Sequence, residues 1–213
     1  MSPILPEEID RYAEAHTTPQ PELLARLAAE TRATLDCPQM LTGPVEGRFL
    51  QTLVFATGAR RVLELGTYSG YSAISMAAAL PPGGRIDTCE MREEHAQVAR
   101  RYIDEAGYTD RVTVHVGPAL ETVERLEGPW DLVFVDADKV GYAAYYEAVL
   151  PKLSERGVVA FDNMLQSGRV VHEPDANEAT RAIADLNERL ARDARVVAVL
   201  LTVRDGVTLV RRA

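Results

Sequence analysis

The sequence has little cysteine, and its two cysteines form no recognisable site. Cys37 and Cys89 are far apart in the chain and belong to no CxxC motif. Cysteine-based zinc sites and thiol redox motifs need closely spaced cysteines, and this sequence has none. We predict two free thiols, buried or half-buried, in the reducing cytoplasm. The histidines are His16, His95, His115 and His172; they share no ligand spacing, and we expect them to have surface or core roles.

Long hydrophobic runs and an excess of basic charge are also missing. No apolar stretch approaches the roughly 20 residues that span a bilayer. Residues 1–8 have neither the basic start nor the apolar core of a signal peptide. The formal net charge of −9 opposes binding to nucleic acid or to an anionic membrane, because both reward a positive surface. We therefore expect a cytoplasmic protein that acts on neither.

The pattern of elements predicts one α/β domain. Residues 1–58 read as three helices, which we interpret as an N-terminal helical cap, and residues 59–213 as the α/β core. From residue 60, short β-rich runs alternate with helical stretches, which indicates right-handed βαβ units, a mostly parallel sheet and helices on both faces. The predicted strands are residues 61–65, 85–90, 112–116, 132–135, 157–161, 196–201 and 207–210. The last two flank an Asp-Gly turn, which predicts a C-terminal antiparallel hairpin.

The first predicted strand leads into a loop with two glycines, Gly66 and Gly70. Ligands of open α/β sheets bind at the carboxyl ends of the strands, where glycines allow close backbone approach. Glu90 ends the second strand, and a carboxylate there can accept hydrogen bonds from both ribose hydroxyls of a nucleotide. Glu64, beside the loop, could bind an ammonium group, which adenosylmethionine carries and nicotinamide cofactors lack. Residues 117–120, after the third strand, would reach the adenine.

Oxygen-bearing side chains follow the fourth and fifth predicted strands. Asp136 and Lys139 come after the fourth strand, and Asp162 and Asn163 end the fifth, so all four lie at the same edge of the sheet as the loop. Two carboxylates and an amide carbonyl are hard ligands that suit Mg²⁺, Mn²⁺ or Ca²⁺ better than Zn²⁺. Three protein oxygens leave room in an octahedral shell for two substrate oxygens and a water. Lysine is rare here, since only Lys139 and Lys152 occur.

These motifs carry a resemblance to a known family. The loop with Glu90-Met91 resembles the cofactor site of class I S-adenosylmethionine-dependent methyltransferases, and residues 40–47, MLTGPVEG, resemble the segment that covers the cofactor in the catechol and caffeoyl-CoA O-methyltransferases. The resemblance runs from about residue 40 to residue 206. It implies a Rossmann-like class I methyltransferase fold with a seven-stranded sheet whose last strand is antiparallel, and it suggests a homodimer. The cofactor residues it implies are Met40, Thr42, Gly43, Glu64, Gly66, Thr67, Tyr68, Ser72, Glu90, Met91, Gly117, Ala119 and Asp136.

The resemblance also implies a mechanism. It places a divalent cation on Asp136, Asp162 and Asn163, and the catalytic lysine on Lys139 beside Asp136. Methyl transfer to oxygen is an in-line displacement in which a phenolate is the better nucleophile, and a free phenol has a pKa near ~10. A divalent cation lowers that pKa, and Lys139 can take the proton if its own pKa is depressed. The expected reaction is methylation of one hydroxyl of a vicinal dihydroxy aromatic small molecule.

Other readings remain open. A nicotinamide-dependent oxidoreductase is opposed by the missing G-x-G-x-x-G motif and by the terminal hairpin, which stands where a dinucleotide-binding chain has a sixth parallel strand. A non-catalytic protein that binds adenosylmethionine is opposed by the acids and the lysine after the fourth and fifth strands. A metal-independent methyltransferase would keep its activity in EDTA.

Overall fold

The computed structural model describes residues 4–213, which form seven strands and nine α-helices. The strands are β1 (Arg61–Leu65), β2 (Arg85–Glu90), β3 (Val112–Val116), β4 (Trp130–Val135), β5 (Leu153–Phe161), β6 (Val196–Leu201) and β7 (Val207–Arg212). The helices are α1 (Glu7–Ala15), α2 (Glu22–Thr34), α3 (Pro44–Thr57), α4 (Tyr71–Ala77), α5 (Glu93–Glu105), α6 (Ala119–Arg125), α7 (Tyr142–Val149), α8 (Arg169–His172) and α9 (Glu178–Arg192).

The strands form one sheet in the order β3-β2-β1-β4-β5-β7-β6. Strands β1 to β5 are all parallel to one another. β7 lies between β5 and β6 and is antiparallel to both. The predicted seven-stranded, mostly parallel sheet with a C-terminal antiparallel hairpin is therefore confirmed. The chain moves outward from β1 to β3 and then returns to β4, so the strand order reverses between β1 and β4. At such a reversal the loops leave on opposite faces and open a crevice at the carboxyl ends of the strands.

Both faces of the sheet are buried. Successive residues of a strand point to opposite sides, and each side contributes to an apolar core. Val62 of β1 belongs to the apolar core on the side of α2 to α5, whereas Leu63 belongs to the core on the side of α6, α7 and α9. β4 repeats this division with Phe134 and Val133. Trp130, at the start of β4, is fully buried in the core on the side of α6, α7 and α9.

The N-terminal helices cover one side of the sheet. The predicted apolar face of α2 is buried through Leu24, Leu27 and neighbouring small residues, and α3 buries Leu50 and Val54. α3 begins with Pro44 after Gly43, whose φ of 80° places it in the left-handed region open to glycine. Within residues 4–213, no helix has both the length and the apolar composition that crossing a membrane requires.

Three details differ from the sequence-based expectation. Cys89 is buried as predicted, but Cys37 is exposed, because the chain leaves α2 with Cys37 in a left-handed conformation (φ 55°) at the rim of a cavity. The helix predicted after Lys139 starts as a 3-10 turn, because the Asp138 carboxylate accepts a hydrogen bond from the Gly141 amide at 2.9 Å. A short helix, α8, lies where the sequence gave no signal.

Candidate functional site

The loops at the carboxyl edge of the sheet are fixed by backbone hydrogen bonds that continue the strand pairing. The Asp136 amide donates to Leu65 O at 2.8 Å, and the Asp162 amide donates to Val135 O at 3.0 Å. On the other side of β1, the Gly66 amide donates to Cys89 O at 3.0 Å. Each strand therefore delivers its loop to a defined place, and a cavity of about 800 Å³ opens between these loops.

Most residues implied by the resemblance line this one cavity. They are Met40, Thr42, Gly66, Thr67, Tyr68, Ser72, Glu90, Met91, Gly117, Ala119, Asp136, Lys139, Asp162 and Asn163. Gly43 and Glu64 do not line it. Gly43 lies at the start of α3, and a Cβ there would come within 3.3 Å of Arg204 Nη1. Glu64 is fully buried in β1, behind the loop.

Gly66 shows why the loop after β1 needs a glycine. Its φ is +105°, and a Cβ at this position would lie 2.1 Å from the carbonyl oxygen of Asp136. No other residue fits, because the conformation is strained for an L side chain and the space is taken by backbone. The loop after β1 and the loop after β4 therefore touch, which places the predicted cofactor loop directly against the predicted catalytic segment.

Glu90 is held firmly at the end of β2. Its Oε2 accepts a hydrogen bond from the Tyr68 amide at 2.7 Å, and its Oε1 accepts one from the Arg92 amide at 2.9 Å. Nδ1 of His95 lies 3.3 Å from the same Oε1. The carboxylate lines the cavity while its orientation is set by two backbone donors and one ring, which suits a fixed acceptor for ligand hydroxyls.

Glu64 is a buried acid with unused hydrogen-bonding capacity. Thr88 donates to Oε2, while Oε1 has no partner within the described structure. Burial raises the pKa of Glu64 to about 7, against the opposing influence of the neighbouring Ser72 and Thr88 hydroxyls. The side chain therefore lies ready to bind a donor or a cation, at a cost to the stability of the free protein.

The buried carboxyl of Glu64 should make the stability of the ligand-free protein depend on pH. The pKa of Glu64 is raised from 4.5 to about 7 on folding, so the carboxyl ionises more readily in the unfolded chain. The free energy of unfolding must then fall as the pH rises through this window, by about 3 kcal/mol in total. Glu64→Gln removes the effect, so we expect the variant to melt at a higher temperature than the wild type at pH 8 and to lose this advantage at pH 5. Thermal denaturation of the ligand-free protein measures both.

Glu124→Gln is the matched control, because this acid is exposed on α6. Its melting temperature should follow that of the wild type at both pH values. Equal destabilisation of Glu64→Gln at pH 5 and pH 8 would contradict the assignment, because it would show that the amide disturbs packing and that the charge has no cost.

Three carboxylates crowd the other end of the cavity. Asp162 is only 4% exposed and its Oδ1 has no partner among the described residues. Burial raises the pKa of Asp162 well above its usual range, and the charges of Glu46 and Asp136 raise it further. Burial also raises the pKa of Glu46 to about 7, although Arg204 opposes this through an ion pair of 3.1 Å between Nη1 and Oε2. So much negative charge in a buried space favours a bound cation.

Lys139 sits between these acids and a tyrosine. Its Nζ donates to Asp136 Oδ1 at 2.7 Å and to the Tyr142 hydroxyl at 2.7 Å, and that hydroxyl donates in turn to Val135 O at 3.0 Å. Burial on its own would lower the pKa of Lys139, but the charges of Asp136, Tyr142 and Asp162 outweigh it and raise the pKa. Lys139 is therefore an ammonium ion held in a fixed place. Its pKa is raised and not depressed, so the condition expected for proton acceptance is not met in this arrangement.

The predicted metal residues can be tested against this geometry. In residues 4–213, no group of three or more His, Cys, Asp or Glu side chains is arranged to hold a metal ion. The predicted set has only two acids, Asp136 and Asp162, and completes its ligands with the amide of Asn163. The unpartnered, buried Oδ1 of Asp162 and the hard oxygen donors around it fit a divalent cation such as Mg²⁺.

Several residues at the cavity were missed by the sequence reasoning. His95 was expected to have a surface or core role, yet it lines the cavity beside Glu90. The sequence did carry one signal for this position, because His95 lies in the first turn of α5, shortly after Glu90. Tyr142 is fully buried, and its hydroxyl accepts a hydrogen bond from Lys139. Glu46 lies within residues 40–47, the segment that resembles the family's cofactor cover. Arg204 reaches Glu46 from a position 158 residues away, and local sequence patterns cannot reveal such a contact.

Comparison with known proteins agrees with this site. The family model described as O-methyltransferase matches residues 14–213. The chain belongs to the O-methyltransferase family. It is 41% identical over 180 residues to the catechol O-methyltransferase of Mycobacterium tuberculosis, covering 83% of this chain and 80% of that protein. A probable caffeoyl-CoA O-methyltransferase of Dictyostelium discoideum is 32% identical over 208 residues, covering 94% and 90%.

Solved structures of O-methyltransferases share the fold along its whole length. The O-methyltransferase of Bacillus cereus, solved in complex with SAH, has a TM-score of 0.88 at 32% identity, with 97% of both chains covered. The O-methyltransferase TomG of Streptomyces achromogenes, in complex with SAM, has a TM-score of 0.87 at 32% identity, with 96% of both covered. The expected class I methyltransferase fold is confirmed, and this family member is a methyltransferase of the caffeoyl-CoA and catechol type.

Proposed function

We propose that this O-methyltransferase transfers the methyl group of S-adenosylmethionine to one hydroxyl of a catechol-type small molecule, and that the reaction depends on a divalent cation. The observation that carries the proposal is the junction at Gly66, where the predicted cofactor loop meets the segment that bears Asp136 and Lys139. The relatives solved with SAH and SAM support the choice of cofactor, and the catechol O-methyltransferase of M. tuberculosis supports the substrate class.

Each polar part of the cofactor has a candidate partner in the protein. Glu90, fixed by the Tyr68 and Arg92 amides, would accept hydrogen bonds from the ribose hydroxyls. Gly117 and Ala119 line the cavity where the adenine would lie, and Met91 is 66% exposed at its rim, where the adenine would cover it. Glu64 is the candidate for the ammonium group through its unpartnered carboxylate oxygen, but it is buried behind the loop after β1, so that loop would have to admit the group.

The buried acids at the other end of the cavity would bind the cation and, through it, the catechol. Asp136, Asp162 and Asn163 would hold the cation, preferably Mg²⁺, with Mn²⁺ or Ca²⁺ as alternatives. When bound, the cation would lower the pKa of a catechol hydroxyl and hold the hydroxyl pair in one direction. Lys139, anchored by Asp136 and Tyr142, would receive the hydroxyl proton at Nζ once a bound cation had lowered its raised pKa, because positive charge beside an ammonium favours the neutral amine. The close contact between the two loops would keep methyl donor and acceptor in line.

The second prediction tests the reaction class directly. We expect the purified protein, given S-adenosylmethionine and Mg²⁺, to methylate vicinal diphenols and to leave matched single phenols unchanged, with the activity lost in EDTA and restored by excess Mg²⁺. Methylated product would be counted by mass spectrometry. Turnover that ignores EDTA would remove the proposed roles of Asp136, Asp162 and Asn163. Methylation of single phenols at the same rate would remove the chelating substrate. We also propose a homodimer, which light scattering would test.

A further inference from the structure

Three residues hold both Glu90, at the end of β2, and the chain that leads into residues 40–47, the covering segment. Asp36 follows α2 and continues through a 3-10 turn, Pro38–Met40, into the covering segment. Tyr68, Arg92 and His95 each touch Glu90 with one group and Asp36 with another.

The contacts are specific in each case. The Tyr68 amide donates to Glu90, and its hydroxyl donates to the Asp36 carbonyl at 2.7 Å. The Arg92 amide donates to Glu90, and its Nη1 donates to Asp36 Oδ2 at 2.6 Å. His95 places Nδ1 3.3 Å from Glu90 Oε1 and Nε2 3.2 Å from Asp36 Oδ1.

The surroundings show that this arrangement is built rather than incidental. The His95 ring is only 3% exposed and packs edge-on against Tyr68, with 4.8 Å between ring centroids. Cys37 and Tyr68, on the two sides of the contact, are both non-glycine residues with positive φ, 55° and 48°. Such conformations persist only where the surrounding contacts hold them. The hydrogen bonds from Arg92 and His95 also lower the pKa of the Asp36 carboxyl.

We propose that Asp36 and His95 form a clasp that fastens the covering segment to Glu90, so that they are positioning residues for the cofactor and set how long it stays bound. A ligand whose hydroxyls bind Glu90 would stabilise the same Tyr68, Arg92 and His95 positions that hold Asp36. The clasp would in turn slow the opening of the chain over the cavity. This inference rests on the proposed role of Glu90 in binding the ribose of S-adenosylmethionine.

The experiment measures release of S-adenosylmethionine by stopped-flow displacement in Asp36→Ala, in His95→Phe and in the double variant. Asp36 is more than half exposed, so its removal leaves the core intact, and phenylalanine keeps the ring against Tyr68. We expect each single variant to release the cofactor about tenfold faster, as the loss of hydrogen bonds to a charged group predicts. The rate increase in the double variant should be smaller than the product of the two single increases, because both substitutions remove the shared contact between Asp36 and His95. The kcat at saturating cofactor should change by less than about threefold, since neither residue touches the reacting atoms.

Glu105→Gln is the matched control, because it breaks the ion pair with Arg26 that also joins α2 to α5 but lies away from the cavity. It should release the cofactor within about threefold of the wild-type rate. Hydrogen exchange of the amides of residues 37–43 should accelerate in Asp36→Ala and stay unchanged in Glu105→Gln.

Glu90→Gln separates failure of the clasp from failure of the cofactor assignment. If Glu90→Gln binds S-adenosylmethionine with wild-type affinity, the ribose role of Glu90 is wrong and the clasp falls with it. If Glu90→Gln binds weakly while Asp36→Ala and His95→Phe release the cofactor at the wild-type rate, only the clasp is overturned. Fully additive rate increases in the double variant would also overturn it.

Discussion

Replacing Lys139 with methionine is expected to lower kcat by about a hundredfold to ten-thousandfold, which is the usual contribution of a positioned general acid or base. Methionine keeps the length and the apolar stem of the side chain but removes the nitrogen that lies 2.7 Å from both Asp136 Oδ1 and the Tyr142 hydroxyl. The measurement is the rate of catechol methylation at saturating substrate, cofactor and Mg²⁺. Affinity for S-adenosylmethionine should be nearly unchanged.

Two further variants distinguish proton transfer from simple charge. Lys139→Arg keeps a positive charge beside Asp136, but a guanidinium does not give up its proton in proteins. If Lys139 receives the substrate proton, this variant should be nearly as slow as Lys139→Met. Recovery of most of the activity in Lys139→Arg would show that the residue serves only as a charge.

Lys152, the other lysine in the sequence, supplies the matched control. Its Nζ donates to backbone carbonyls at the end of α6, including Val123 O at 2.6 Å, and takes no part in the cavity. Lys152→Met should therefore lower the melting temperature and leave kcat per folded molecule unchanged.

Asp162→Asn is expected to reduce methylation on the order of a thousandfold and to weaken Mn²⁺ binding by about a hundredfold or more. Asparagine preserves the shape of the side chain and removes the charge of a carboxylate that is nearly fully buried. Mn²⁺ binding, followed by electron paramagnetic resonance on the substrate-free protein, gives a readout independent of turnover. The same variant should be more stable than the wild type at pH 8 without metal.

The sign of that stability change follows from the raised pKa of Asp162, for which burial is the main cause and the charges of Glu46 and Asp136 add to it. A carboxyl with a higher pKa in the folded state lowers the free energy of unfolding as the pH rises above its unfolded pKa. Removing the acid removes this cost, so the advantage of Asp162→Asn should grow from pH 4 to pH 8.

Asp205→Asn is the control for Asp162→Asn. Asp205 also lines the cavity, and its Oδ1 accepts a hydrogen bond from the Ser167 amide, which an asparagine carbonyl can still accept. It is outside the proposed metal set, so Mn²⁺ affinity should stay close to wild type. Equal Mn²⁺ affinity in Asp162→Asn and the wild type would refute the proposed cation site.

Local patterns in the sequence predicted the fold closely. The alternation of β-rich and helical runs identified all seven strands, and the Asp-Gly turn identified the hairpin that sets this sheet apart from a dinucleotide-binding one. These features depend on residues close together in the chain. The 3-10 turn after Asp138 was missed, because the side-chain cap that shortens α7 competes with helix formation without changing the apolar pattern.

The candidate site was predictable only in part. Residues at the ends of strands, such as Glu90, Asp136 and Asp162, could be placed together because parallel strands end at one edge. The contacts that surround them join distant parts of the chain, such as Arg204 with Glu46 and Asp36 with His95. No periodicity records those pairs, so the contact of His95 with Asp36 and that of Arg204 with Glu46 became visible only in three dimensions.

The position of β7 has a consequence for the order of assembly. β7 is the last strand in the described chain, yet it lies between β5 and β6 and leaves β6 without a neighbour until it inserts. The turn before it carries Arg204, whose contact with Glu46 spans most of the chain. Contacts between such distant residues form late, because closing a long loop costs entropy before any contact repays it. A nascent chain would thus be unable to place Arg204 beside Glu46, over the acids, until the segment that carries Arg204 and β7 has been synthesised.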